Sequence, residues 1–283
     1  MSTAKLQVLG LCRWSYPSQT GAFKNKGQSL EALRAELYTE ARMAVRLFFL
    51  EHLVLPSLRA QTDEAFTLVL MLGDSLPEPW RGRVLELIKD VGQVKPVFLP
   101  EGQNHMETCR ALMMEHRDQS ADVVVEFRLD DDDAVASDFV ARLRSLYATL
   151  APIYEESGRV AVDFCRGFVI RCEPRGTVDY LPVEARLWTP ALALYLPPDH
   201  HRSLLNYPHM RTWRNMPVLS LNKRPMFVRG AHEGNDSEVL ERKVQSFRYK
   251  LENLPELMRC EFGVDLERFE AEWAKVTAQI GTG

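Results

Sequence analysis

Residues 122–133 read DVVVEFRLDDDD, and this stretch decides how the rest of the chain is understood. Val123, Val124, Val125, Phe127 and Leu129 make its first eight residues β-like, with Glu126 and Arg128 as interruptions. A run of this length and composition reads as a buried strand. Four adjacent aspartates, Asp130 to Asp133, follow directly. Open α/β sheets bind their ligands beyond the carboxyl ends of the strands, so the aspartates fall where chemistry is expected.

Working outward, strand-like and helix-like segments alternate. Residues 6–12 form a short apolar run, and 66–72, FTLVLML, is a second buried strand. Between them Ser29 is a candidate N-cap, and Leu33, Leu37, Ala41, Ala44 and Leu47 recur at helical spacing until Pro56 is expected to stop the helix. Residues 79–91 read as a helix opened by a proline, 94–99 as a third strand and 105–117 as a third helix, which makes 122–129 the fourth strand. Such alternation predicts a right-handed, doubly wound, largely parallel sheet. Beyond a helix at 137–150 the character changes. Residues 160–172 and 177–183 are β-like around the turn Glu173-Pro174-Arg175-Gly176, which suits a hairpin. Residues 187–222 are rich in Pro, His, Trp and Tyr with little periodicity, Phe227 and Val228 end a short strand, and 236–280 are mostly helical in pattern.

The composition sets the outer limits. The 283 residues carry 35 basic and 39 acidic side chains, a net charge of −4, which argues against a general nucleic-acid binder. An apolar content of 46% rules out disorder. The five cysteines, Cys12, Cys109, Cys165, Cys172 and Cys260, include no CxxC pair, which favours reduced thiols and a cytoplasmic setting. The N-terminus lacks a signal-peptide pattern, and the apolar stretch 43–58 is interrupted by Arg46, Glu51, His52 and Pro56, so no transmembrane segment is expected. Peripheral membrane contact is left to the helix 29–54 and the basic pair Lys223-Arg224.

Four neighbouring carboxylates repel one another, and a divalent cation would relieve this. Hard carboxylate oxygens suit Mg²⁺ or Mn²⁺, and a metal there would bridge the phosphates of a nucleotide. The plainer alternative is a solvated acidic loop beside a helix N-terminus. Asp132-Asp133 with Asp138 also fits the DDxxxxD spacing of prenyl synthases, but those are all-helical with a second aspartate-rich motif, and this run follows a strand with no second aspartate pair in the chain.

Three stretches together carry a family resemblance: LPSLRAQTD at 55–63 leading into FTLVLMLGDSLP, FRLDDDDAVASDFV at 127–140, and FVRGAHEGNDS at 227–237. The chain resembles the GT-A glycosyltransferases of the inverting family-two type, and more closely a bacterial family of rhamnosyltransferases, over most of residues 6–240. The resemblance implies an α/β fold, GT-A-like, with a Rossmann-like doubly wound mixed sheet and helices on both faces. It implies a single domain over 1–283, with a nucleotide-sugar half at about 1–136 and an acceptor half at about 137–283 ending in helices. The activity it implies moves a sugar, rhamnose among the options, from a nucleotide-diphosphate donor to a hydroxyl acceptor, with metal dependence and inversion. That acceptor is a glycan, a lipid-linked molecule or another hydroxyl compound.

Carried over residue by residue, the resemblance makes Asp130 and Asp132 the aspartates of a DxD motif. Asp132 is then a metal ligand and Asp130 faces the donor sugar or ribose. Asp131 and Asp133 offer the same spacing one residue on, so the register stays open and Asp131 is kept as a nucleotide contact. His232 matches a histidine that returns from the C-terminal part to the metal or diphosphate, with Asn235 behind it. Arg13 offers a planar fork to a diphosphate, Tyr16 or Trp14 an aromatic face to the base, and Arg110 lies in a region that contacts the nucleotide. An inverting transferase also needs a base for the acceptor hydroxyl. No Glu-Asp pair lies between Asp133 and His232. Asp163, an aspartate inside an apolar strand, is the first choice, with Glu184, Asp199, His200, His201 and His209 as alternatives. Two other functions compete: a non-catalytic nucleotide-sugar or carbohydrate-binding relative, and a metal-dependent phosphohydrolase.

Overall fold

A computed structural model describes residues 4–18, 28–233 and 245–280. The sheet begins with β1 (Leu6–Arg13), β2 (Phe66–Gly73), β3 (Val94–Leu99) and β4 (Val123–Arg128). All four are parallel neighbours in the order β3-β2-β1-β4; buried apolar side chains line both faces of β1, β2 and β4, while the edge strand β3 buries only Val94 fully. Continuous apolar runs produce this arrangement because helices cover both sides of such a sheet.

Past β4 the sheet becomes mixed. β9 (Leu192–Leu196) inserts antiparallel between β4 and β6 (Val160–Phe164), and β10 (Val218–Leu221) closes the edge parallel to β6. A second, smaller sheet has the order β5-β11-β7-β8, from β5 (Asp133–Val135), β7 (Arg166–Cys172), β8 (Val178–Glu184) and β11 (Phe227–Ala231). This is the expected GT-A-like, Rossmann-like mixed α/β sheet. One apolar cluster takes in residues from both halves of the chain, among them Val8, Phe127, Phe168 and Phe269.

Several local expectations change. The long first helix is broken into α1 (Leu30–Leu37), α2 (Glu40–Phe49), a π-helical turn (Leu50–Val54) and α3 (Leu55–Arg59). Pro56 does not stop the helix: it sits in the first turn of α3, where a proline lacks no intrahelical bond it needs. α4 (Trp80–Ile88) and α5 (His105–Glu115) fall within the predicted spans, while α6 (Phe139–Ser157) outruns its expected end and stops at Gly158 in the left-handed conformation, φ +69°. The β-like run 160–172 is two strands in different sheets, parted at Cys165. The hairpin β7–β8 is as expected, with Gly176 in its turn at φ +84°. The aperiodic stretch 187–222 contains β9 and β10 and a 3-10 turn at His209–Arg214. Of the expected helical region 236–280, the described part holds α7 (Leu254–Phe262) and α8 (Leu266–Ile280). Among the described residues no helix is long and apolar enough to cross a membrane.

Candidate active site

The carboxyl ends of β1 and β4 lie side by side, and each ends in an arginine, Arg13 and Arg128. The aspartate run leaves β4 there and turns back at once: the Asp133 N–H donates to the Asp130 carbonyl at 3.1 Å, and Asp133 opens β5. It therefore starts a strand, and the helix that the plainer reading expected begins later, behind Asp138.

Each carboxylate meets a different neighbour. Arg128 forks onto Asp130, with Nε 2.8 Å from Oδ1 and Nη2 2.6 Å from Oδ2, while Arg13 Nη2 lies 3.5 Å from Oδ1. Burial pushes the Asp130 carboxyl up, but Arg128 and then Arg13 outweigh it and hold the group below the usual carboxylate range. Arg46 reaches in from α2, its Nη1 2.5 Å from Asp131 Oδ1 and 3.1 Å from Asp132 Oδ2. Burial, reinforced by Asp132 and Asp130 and resisted by Arg46, pushes Asp131 up to about 6. For Asp132, burial is outweighed by Arg46 and His232, and its carboxyl stays below the usual range. Asp133 is pushed well above that range by burial, Asp132 and Asp130, and its buried Oδ1 has no hydrogen-bond partner among the described residues.

Mutual repulsion of the aspartates, for which the sequence reading invoked a cation, is thus relieved largely by arginines. Arg229 adds to them from β11, which pairs antiparallel with β5 in the register Arg229↔Asp133. Its guanidinium stacks over Trp188, 4.9 Å from the ring centre.

That same pairing delivers His232. Its Nε2 lies 3.3 Å from Asp132 Oδ2, a hundred residues away in the chain, and Phe49 stacks on the imidazole at 4.9 Å. Burial, opposed by Asp132, holds the imidazole below its ordinary pKa, so it is neutral at pH 7. The approach of the two strands depends on Gly230, whose N–H donates to the Asp132 carbonyl at 2.7 Å; a Cβ there would meet that oxygen at 2.4 Å. Asn235, expected behind His232, lies outside the described residues.

Asp132 and His232 are the donor set available to a divalent ion. Among the described residues no three Asp, Glu, His or Cys side chains gather into a closed cage. Mg²⁺ is commonly held by one or two protein carboxylates and completed by substrate phosphates and water. A carboxylate with an adjacent neutral imidazole, beside one unpartnered carboxylate oxygen of Asp133, fits an ion completed by phosphates and does not fit an enclosed structural ion.

The remaining predicted residues divide. Arg13 belongs to the cluster. Its Nη1 also lies 3.0 Å from His105 Nε2, and His105 Nδ1 is 3.1 Å from Ser18 Oγ. Burial, with Arg13 and Arg128 nearby, drives His105 down to about 3, so the neutral ring accepts from Arg13 and donates to Ser18. Tyr16 is packed away, its hydroxyl donating to the Pro100 carbonyl at 2.5 Å, and Trp14 is fully buried. Arg110 runs along its own helix, with Nη1 3.5 Å from Met114 Sδ, and has no ion pair to the aspartates among the described residues.

Asp163 is 1% exposed and both its oxygens are engaged. Oδ1 accepts from the Leu187 N–H at 2.9 Å, and Oδ2 from Ser220 Oγ at 3.0 Å and Cys165 Sγ at 3.4 Å. These bonds hold Leu187 at φ +57°, a conformation costly for a side chain of that size. Glu184 is tied to Arg166 and Asn222. Four site residues escaped the sequence reading: Arg46, Arg128, Arg229 and His105. Arg46 carried a signal, since an arginine on the apolar face of a helix requires a buried partner.

The chain belongs to the family described as "Putative rhamnosyl transferase", whose profile matches residues 7–243. No curated protein matches it. Among solved structures it is similar to S. aureus TarS 1–349, at 12% identity and a TM-score of 0.37, over 80% of this chain and 60% of that one. The same protein in complex with UDP-GlcNAc aligns at 12% identity and a TM-score of 0.39, over 97% of this chain and 71% of that one. The chain thus spans about 60% of the first of these structures.

Proposed function

We propose that this protein is a glycosyltransferase that moves a sugar, rhamnose by its family, from a nucleoside-diphosphate donor to a hydroxyl acceptor, with inversion at the anomeric carbon. The observation that carries the proposal is the meeting of Asp132 and His232 at the carboxyl end of β4, in a chain whose family profile spans 237 residues. A divalent ion at this pair would neutralise charge developing on the departing diphosphate. Asp132 and His232 would hold it together with the phosphates, and Asp130, the most accessible of the four carboxylates at 27% side-chain exposure, would meet the ribose or sugar. Arg13 is oriented by His105 and presents a fixed donor fork to a phosphate. Arg46, by binding Asp131 and Asp132 from behind, keeps the loop in one conformation. A cytoplasmic setting, where five unpaired cysteines remain reduced, goes with this reading.

A thermal-shift titration with UDP, GDP and dTDP sugars, each with Mn²⁺, Mg²⁺ or chelator, tests it. A ligand at 100 times its dissociation constant adds about 2.7 kcal/mol, readily measured. The expected result is a metal-dependent shift for one nucleotide that Asp132→Asn removes. No shift with any donor sinks the proposal.

A second reading, a nucleotide-sugar binder without catalysis, draws support from the hydrogen bonding of Asp163, whose two oxygens are both engaged by the protein itself. Release of nucleoside diphosphate from the donor separates the two.

A further inference from the structure

A cleft includes Arg128, the residue that forks onto Asp130, in its lining. His105, Leu192 and Leu194 of β9, Tyr207 and His209 line it as well. His209 opens the 3-10 turn His209–Arg214, immediately after Pro208. Its Nδ1 lies 2.6 Å from the carbonyl oxygen of Leu187. A carbonyl only accepts, so Nδ1 carries the proton, and Nε2 of the neutral ring keeps a lone pair. Nε2 makes no hydrogen bond among the described residues.

We infer that His209 is the general base that deprotonates the acceptor hydroxyl. The inference rests on the transferase reading above and supplies the group that Asp163 does not. An imidazole whose Nδ1–H is bound to a fixed acceptor is oriented as catalytic bases are, with Nε2 directed to the reaction. Leu187 is itself held by Asp163 through its N–H, so the carbonyl that orients His209 belongs to a rigid backbone. In the step, the acceptor O–H bond breaks and its proton passes to Nε2. The oxygen forms the new bond to the anomeric carbon, and the bond from that carbon to the diphosphate breaks with its electron pair leaving on the phosphate. The imidazolium then releases its proton to water.

The groups whose charge bears on His209 are Arg128 from β4, Arg229 from β11 and Asp130 from the loop; His105 of α5 shares the cleft and is neutral. Burial, Arg128 and Arg229 lower the imidazole pKa, with the Leu187 carbonyl and Asp130 opposing them, so the ring is in its basic form at pH 7.

The experiment measures nucleoside diphosphate released from UDP-glucose, UDP-GlcNAc, GDP-mannose and dTDP-rhamnose with Mn²⁺, between pH 5 and 9, water serving as acceptor. Donor affinity is read separately by calorimetry. The wild type is expected to lose rate only on the acid side of the ordinary histidine value, where the lowered imidazole protonates. His209→Gln, which can keep an amide N–H for the Leu187 carbonyl, is expected to release diphosphate roughly 100-fold more slowly, with donor affinity within threefold and the acid limb gone. His209→Ala checks that the loss does not depend on the glutamine. A His209→Gln protein that binds donor and turns over within threefold of wild type, with the limb intact, overturns the assignment of His209 alone. A wild type that binds no donor overturns the transferase reading and this inference together. A wild type that binds donor but releases no diphosphate at any pH overturns His209 as base and leaves the binder reading standing.

Discussion

Glu126 and Asp130 stand four residues apart, one inside β4 and one just past its end, and each is paired with an arginine in opposite manner. Glu126 is fully buried, and both of its carboxylate oxygens have partners. Arg117 donates to its Oε1 at 2.8 Å, the Leu204 N–H donates to Oε2 at 2.7 Å, and the rest of the Arg117 fork is spent on the carbonyls of His200 and Arg202. That pair staples the segment after β9 to the sheet and has nothing left for a ligand. The aspartate loop holds four carboxylates against Arg13, Arg46, Arg128 and Arg229, yet Asp130 remains partly exposed and Asp133 Oδ1 has no hydrogen-bond partner among the described residues. A saturated ion pair marks structure; an unsaturated one at the carboxyl end of a parallel strand marks a place for a substrate.

Removing one partner of the saturated pair gives the largest expected effect. Glu126→Ala leaves Arg117 buried and uncompensated, and urea titration is expected to show a loss of about 3–5 kcal/mol. An exposed-site loss below 1 kcal/mol would erase the distinction between the two regions. Asp132→Asn acts on the open region: it is expected to weaken metal-dependent donor binding by tenfold or more, about 1.4 kcal/mol, and to lower the melting temperature without nucleotide as well, because Arg46 and His232 lose the charge they face. Gly230→Ala drives a Cβ into the Asp132 carbonyl, and a loss of roughly 1–3 kcal/mol in the same titration is expected.

The pH response sharpens the contrast further. The Asp131 carboxyl is pushed up to about 6, above an unfolded value of about 4, so the folded protein holds that proton more tightly than the unfolded chain does. Its ionisation is a penalty that fades as pH falls from about 6 to about 4. Asp130 and Asp132 run the other way: their stabilisation is complete above about 4 and is lost as pH falls through their lowered folded values. Asp131→Asn is therefore expected to be more stable than the parent at pH 7.5, by about 1 kcal/mol, and equal to it near pH 4, measured by thermal melts at both. Smallest of all is Arg110→Ala: the hydrogen bond of Arg110 among the described residues runs within its own helix, and the change is expected to alter neither stability nor donor binding by more than about 0.5 kcal/mol.

How far the site was legible follows from what each residue's neighbours in sequence reveal. The aspartate run was legible because it follows a β-like run of strand length, and β4 falls within a residue of its expected bounds. His232 was legible only through resemblance, since nothing local links it to Asp132. Arg46 was read merely as an interruption in an apolar stretch, although a charge in that position announces a buried counter-charge. β9 hid inside a stretch dense in proline and histidine; at five residues it is too short to establish a period. The split of 160–172 into β6 and β7 was invisible for a different reason. Side-chain alternation reports that a segment is extended and says nothing of which sheet it joins.

The sequence by itself determined the alternation of strands and helices, the parallel core of the sheet and the position of the aspartates at its ligand-binding edge. Those features rest on local hydrophobic patterning and on the rules of strand connection, which act over tens of residues. Tertiary structure decided which cations neutralise the aspartates, which histidine meets Asp132, and that Asp163 braces Leu187 from behind while His209 faces the cleft. Apart from Arg128 and Asp130, two residues apart, these are pairings between groups 24 to 117 residues apart, and burial strengthens such charge and hydrogen-bond contacts only after the chain has closed around them.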